Sequence, residues 1–90
     1  METQKLNETI IHVILLMKKG MSHVEAFKEM ADNLGITINA VRDSCVRRIG
    51  FVGKGGTNKF SDLVRNNGIK NYLKRQYPDD STLLDKELSY

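Results

Sequence analysis

The chain has a single cysteine, Cys45, so an internal disulfide is excluded and a reducing compartment fits. Long apolar runs are missing too. The longest, from Ile10 to Met17, is interrupted by His12 and falls well short of the roughly 18 residues a membrane span needs. No basic segment precedes an apolar run and a small-residue cleavage site, so no secretion signal is expected and the location expected is cytoplasmic. Histidine is scarce. His12 and His23 fall on different predicted helices with no third ligand at metal spacing, so neither a metal nor another cofactor is expected. Carboxylates are scattered without pairing for acid–base work. Cys45 lies on the inward side of its helix with no His or Asn placed to activate it. No catalytic residue is therefore expected, and an enzyme is disfavoured. Aromatic residues make up 7% of the chain, and Phe51, Phe60, Tyr72 and Tyr77 fall at inward positions. They do not read as a base-stacking platform, which argues against RNA. There are no internal repeats, no low-complexity segment, and one proline, Pro78, which marks a helix end.

What is present is helical periodicity. Ninety residues suit one small domain. Leu6, Ile10, Val13, Ile14 and Met17 recur at helical spacing, which predicts a first helix over 4–19. Ile11 and Leu15 widen its apolar stripe beyond that of a surface helix, so its extra face meets either the other helices or a partner. Ser22-His23-Val24-Glu25 is a capping box opening a second helix over 22–34, with Val24, Phe27, Met30, Ala31 and Leu34 inward. A third helix, 38–49, is capped by Thr37 or Asn39 and buries Val41, Cys45 and Ile49. A glycine-rich segment, 50–58, is either a basic loop or the short hairpin of a wing, with the loop favoured. It is not a nucleotide-binding P-loop, since neither Gly-Lys-Ser/Thr nor a preceding strand is there. Thr57 or Asn58 caps a fourth helix over 58–66, and Asn66-Asn67-Gly68 stops it. A fifth, 69–77, turns Ile69, Tyr72, Leu73 and Tyr77 inward. The fold expected is all-α, four to five short helices, as one domain over 1–78. An acidic tail over 79–90 can dock as a last turn through Leu83, Leu84 and Leu88, capped by Asp79, Asp80 or Ser81.

The most informative stretch is 27–47, FKEMADNLGITINAVRDSCVR. Ala31 is the small residue two crossing helices need. Gly35 allows the left-handed stop between them. Leu34, Ile36 and Val41 are the apolar residues expected to close the core around the turn. In these residues the segment resembles the helix-turn-helix of phage repressors and bacterial transcription regulators, over about a quarter of the chain. The resemblance implies double-stranded DNA as the ligand, with bases read by the outward side of the second helix of the pair. Here that side is Thr37, Ile38, Asn39, Arg42, Asp43 and Val46. Ile38 is apolar where a polar reader is common, and Asp43 carries the wrong sign for phosphate.

Charge is distributed in the same sense. Residues 1–41 carry a net −1, residues 42–76 hold nine Lys/Arg against two Asp/Glu for +7, and residues 77–90 carry −3. A basic excess beginning at the third helix fits a phosphate-facing surface. Arg47, Arg48, Lys54 and Lys59 are the expected phosphate contacts, while Lys70, Lys74 and Arg75 either extend that track or keep the fifth helix wetted. Asn39 suits adenine, Arg42 guanine and Ile38 a thymine methyl. Asp43 is expected to pair with Arg47 one turn on. The function expected is DNA binding by a transcription regulator, or by the reading domain of a larger DNA-processing protein, in association with the nucleoid when bound. One small module grips few phosphates, so a homodimer or a larger protein partner through helix 4–19 is expected as well. The rival is a protein–protein interaction module without a DNA ligand, which Ile38 and Asp43 would suit.

Overall fold

The structure, a computed structural model, describes residues 6–88. Among the described residues six α-helices follow one another: α1 (Glu8–Lys18), α2 (His23–Leu34), α3 (Ile38–Cys45), α4 (Gly56–Arg65), α5 (Ile69–Gln76) and α6 (Ser81–Glu87). A 3-10 turn, Pro78–Asp80, joins the last two. There is no strand among the described residues, so the fold is all-α and 50–55 is a loop, not a wing. No described helix is long and apolar enough to cross a membrane.

Local chemistry sets the helix ends. Asn7 caps α1 by accepting from the Thr9 N–H. Residues 4 and 5 of the expected first helix lie outside the described residues. Left-handed Gly20 closes α1, with the Met21 N–H reaching the Leu16 carbonyl and the Gly20 N–H that of Met17. That bond pair is a Schellman stop. Ser22 caps α2 through the Glu25 N–H, and its hydroxyl donates to Glu25 Oε1 at 3.1 Å. Gly35, at φ 67°, ends α2 with the Ile36 N–H bonded to the Ala31 carbonyl. Thr37 caps α3 through the Ala40 N–H.

Some boundaries depart from the pattern in the sequence. The third helix ends at Cys45 instead of 49, and the chain turns through 46–50. Ile49 is buried all the same, delivered by the turn. Gly55, left-handed and without a side-chain cap, precedes α4, so Thr57 and Asn58 lie inside that helix. At 66–68 the left-handed residue is Asn67 rather than Gly68, and the Gly68 N–H bonds to the Leu63 carbonyl. Asp80 precedes α6 without a side-chain bond to it.

The core runs through every helix. Ile10, Ile11, Val13 and Ile14 of α1 are buried with Ala26, Phe27, Met30 and Ala31 of α2. Val41 and Cys45 of α3, Phe60 and Val64 of α4, Ile69 and Leu73 of α5, and Leu84 and Leu88 at the chain's end complete it. Phe27 stacks on Phe60 with centroids 6.1 Å apart. Part of the over-wide stripe of α1 is covered within the chain, while Leu15 is half-buried. Ile11 and Leu83 line one shallow pocket between α1 and α6, and Ile11 is buried without any partner chain. The tail's charge is used as well, since Asp85 meets Lys74 at 2.9 Å and Lys70 at 3.7 Å.

Three expected core residues are exposed. Val24 lies about 90° around α2 from the centre of the buried stripe, counting 100° per residue. Leu34 is on the stripe's own side but in the last turn, and it keeps 49% of its surface exposed. Ile36, in the turn itself, keeps 43%.

Candidate nucleic-acid interface

The outward side of α3 is short. Thr37, Ile38, Asn39 and Arg42 are exposed, and Asp43 is half-buried. Thr37 has its hydroxyl committed to the cap of α3. Val46 does not belong to this surface. It follows the end of the helix, is buried, and stands 3.0 Å from where a Cβ on Gly56 would be. A base-reading role for Val46 is therefore withdrawn, because the chain leaves the helical path just before it.

The same early end removes the expected Asp43–Arg47 pair. With α3 closed at Cys45, Arg47 is no longer one helical turn beyond Asp43. Asp43 Oδ1 is buried and finds no hydrogen-bond partner among the described residues. Asp43, Ser44, Arg47, Arg48 and Val52 instead frame a shallow groove of about 350 Å³ beside α3. Ser44 is held in place, donating to the Ala40 carbonyl and accepting from Asn7 Nδ2.

Arg47 and Arg48 are exposed, and the backbone that carries them is tied down. The Tyr72 hydroxyl donates to the Ile49 carbonyl at 2.5 Å, and the Tyr77 hydroxyl to the Arg48 carbonyl at 3.3 Å. Phe51 stacks on the Tyr72 ring at 4.9 Å. Two tyrosines of the fifth-helix region thus fasten the basic turn to the core. Burial holds the Tyr77 phenol above its ordinary pKa, with the Arg48 charge acting in the opposite direction. The sequence reading counted both tyrosines as plain core. The available signal was the phenol itself, since a largely buried Tyr hydroxyl usually finds a partner.

Lys54 is exposed on the loop and Lys59 on the first turn of α4, and no hydrogen bond or ion pair among the described residues joins either to Arg47 or Arg48. Lys70 and Lys74 are half-buried and engaged with Asp85, so they face the acidic helix α6. Arg75 is exposed. Cys45 is buried among apolar neighbours, and burial pushes its thiol well above the ordinary value, away from the thiolate a nucleophile needs.

Comparison with known proteins finds no matching family model, no matching curated protein and no matching solved structure.

Proposed function

We propose that the chain binds double-stranded DNA, with Ile38, Asn39 and Arg42 of α3 toward the bases and Arg47, Arg48, Lys54 and Lys59 on phosphates. The observation that carries this reading is the pairing of an exposed polar helix with an adjoining arginine turn whose backbone is pinned by Tyr72 and Tyr77. A cationic turn held rigid loses little conformational freedom when it meets a phosphate, so more of the contact energy appears as affinity. The net +7 of residues 42–76 supplies the long-range attraction. A transcription regulator, or the reading domain of a larger DNA-processing protein, is the role this would serve, in the cytoplasm at the nucleoid.

Fluorescence anisotropy with a random duplex of about 20 base pairs, titrated across salt, tests it. Micromolar binding that falls steeply with salt is expected. Arg42→Ala should then erase sequence discrimination, while Lys54→Ala should weaken all sequences alike and reduce the salt slope by about one. Absence of binding at low salt would end the proposal.

A second reading has its own observation. Leu34, Ile36 and Ile38 are all exposed large apolar residues, and they fall within five positions across the α2–α3 turn. Such a run suits a protein partner. Under this reading Ile36→Ser and Ile38→Ser weaken a protein complex whose affinity barely responds to salt, and DNA affinity stays near zero throughout.

A further inference from the structure

A second cleft, on the other elements of the fold, carries chemistry that the α3 surface does not use. It lies between the end of α1, the first turn of α2 and α4, and measures about 440 Å³. Lys18, Ser22, His23, Glu25, Ser61 and Arg65 are among the residues that line it. Among the described residues Ser61 is the one buried polar side chain, only 3% exposed, and its hydroxyl has no hydrogen-bond partner there. His23 Nδ1, in the same cleft, is also buried without a partner. Buried polar atoms are nearly always satisfied, and leaving one unmade is costly. Both belong to residues that line this cleft, so a small side-chain rearrangement would let a ligand complete their bonding.

The charges specify the ligand's sign. Lys18, held by Asn67 Oδ1, and Arg65 are the cationic side chains among the lining residues, and Glu25 is the one carboxylate among them. The Glu25 carboxylate is already turned to the Ser22 hydroxyl. The 12-residue α2 begins here, so the N–H group of His23, which has no partner inside the helix, and the positive end of the helix dipole lie at a lining residue. Hydroxyl, amide N–H and guanidinium are donors, as is the imidazole in the tautomer with its proton on Nδ1, and together they match the oxygens of a phosphate group. The volume exceeds that of the ion and falls within the range of small-molecule sites.

We propose that this cleft is a binding site for a phosphate group carried on a small molecule, with Ser61 and His23 as buried donors and Lys18 and Arg65 as the charged rim. The site does not depend on the DNA reading, because none of its lining residues belongs to α3 or to the 46–55 segment.

The test is a titration of the 15N-labelled full chain with inorganic phosphate and with glycerol phosphate, followed by amide shifts, with sodium chloride matching the ionic strength in a parallel series. Saturable shifts confined to residues 18–25 and 61–65 are expected, with glycerol phosphate the tighter ligand and chloride inert. Ser61→Ala should weaken binding roughly ten-fold or more, because it deletes a hydrogen bond to a charged group. Its fold is safe, since the hydroxyl removed has no partner to lose. Arg65→Gln, an exposed position, is a second variant expected to weaken binding. Shifts that do not saturate, that chloride reproduces, or that Ser61→Ala leaves unchanged would overturn the proposal. A DNA duplex that moves these same amides and is displaced by phosphate would overturn the small-molecule assignment, whereas a duplex that leaves them in place supports it.

Discussion

At the scale of single residues, the decisive groups are those whose neighbours the sequence does not reveal. Tyr72 and Tyr77 were legible as inward-facing aromatics, but their hydroxyls end on the carbonyls of Ile49 and Arg48, more than twenty residues back along the chain. Tyr72→Phe should therefore cost about 0.5–1.5 kcal/mol in urea unfolding. The ring stack with Phe51 survives that change, so the loss isolates the hydroxyl. If the DNA reading holds, the same variant should also weaken duplex binding, because the Arg47–Arg48 turn loses a tether. Equal stability of the two proteins would show that the bond contributes nothing net. Val46 and Asp43 teach the converse lesson. Both were assigned to an outward helical face, but the helix ends a turn early, so Val46 is buried beyond it and Asp43, still within α3, loses its expected partner Arg47.

At the scale of elements, glycines separate two kinds of constraint. Gly35 stands in open space, but at φ 67° an added Cβ is strained by its own backbone. Gly35→Ala is expected to cost about 1–2 kcal/mol. Gly56 has no left-handed backbone, yet a Cβ there would lie 2.6 Å from the Phe51 carbonyl oxygen and 3.0 Å from Val46. The start of α4 is pressed against the turn that carries the arginines. Gly56→Ala should force the two apart, destabilise by as much as or more than Gly35→Ala, and disturb amide shifts from 46 to 52. Shift changes limited to α4 itself would mean that the contact relaxes without involving the turn. The stop at Gly35 was readable from the residue alone, whereas the close approach at Gly56 was not, because it depends on what the loop does after α3.

At the scale of the whole molecule, the chain's acidic end completes the fold. Leu84 and Leu88 are fully buried, and the radius of gyration of 12.3 Å matches the value of about 12 Å expected for a folded domain of this length. Leu84→Ala should cost about 2–5 kcal/mol in thermal or urea unfolding, the usual range for a buried leucine. A negligible loss would mean that α6 is not part of the cooperative unit. The hydrogen bond from Lys74 holds the Asp85 carboxyl below its ordinary value of 3.8. A carboxyl with a depressed folded pKa contributes stability above its unfolded pKa and loses it as pH falls through the folded one. The Asp85–Lys74 contribution is thus present at neutral pH and fades below about pH 4. The stability difference between the wild type and Asp85→Asn should shrink over that interval, and a difference constant with pH would rule the clasp out. Asp85 is exposed, so the effect is small and falls with salt.

The sequence by itself determined the helical class, the capped starts at Ser22 and Thr37, the stop at Gly35 and most of the core. Each of these follows from local propensity, backbone freedom or 3.6-residue periodicity, which need only neighbours in the chain. The basic excess from 42 onward was equally legible, since charge is additive along a sequence. Only the tertiary structure decided which apolar residues stay outside, where α3 gives way to a turn, and that Lys70 and Lys74 face Asp85. It also brought Ser61 and His23, each with a buried unpartnered atom, to the lining of one cleft. Those outcomes depend on which element covers which face, and the packing of distant segments is not encoded in any local window.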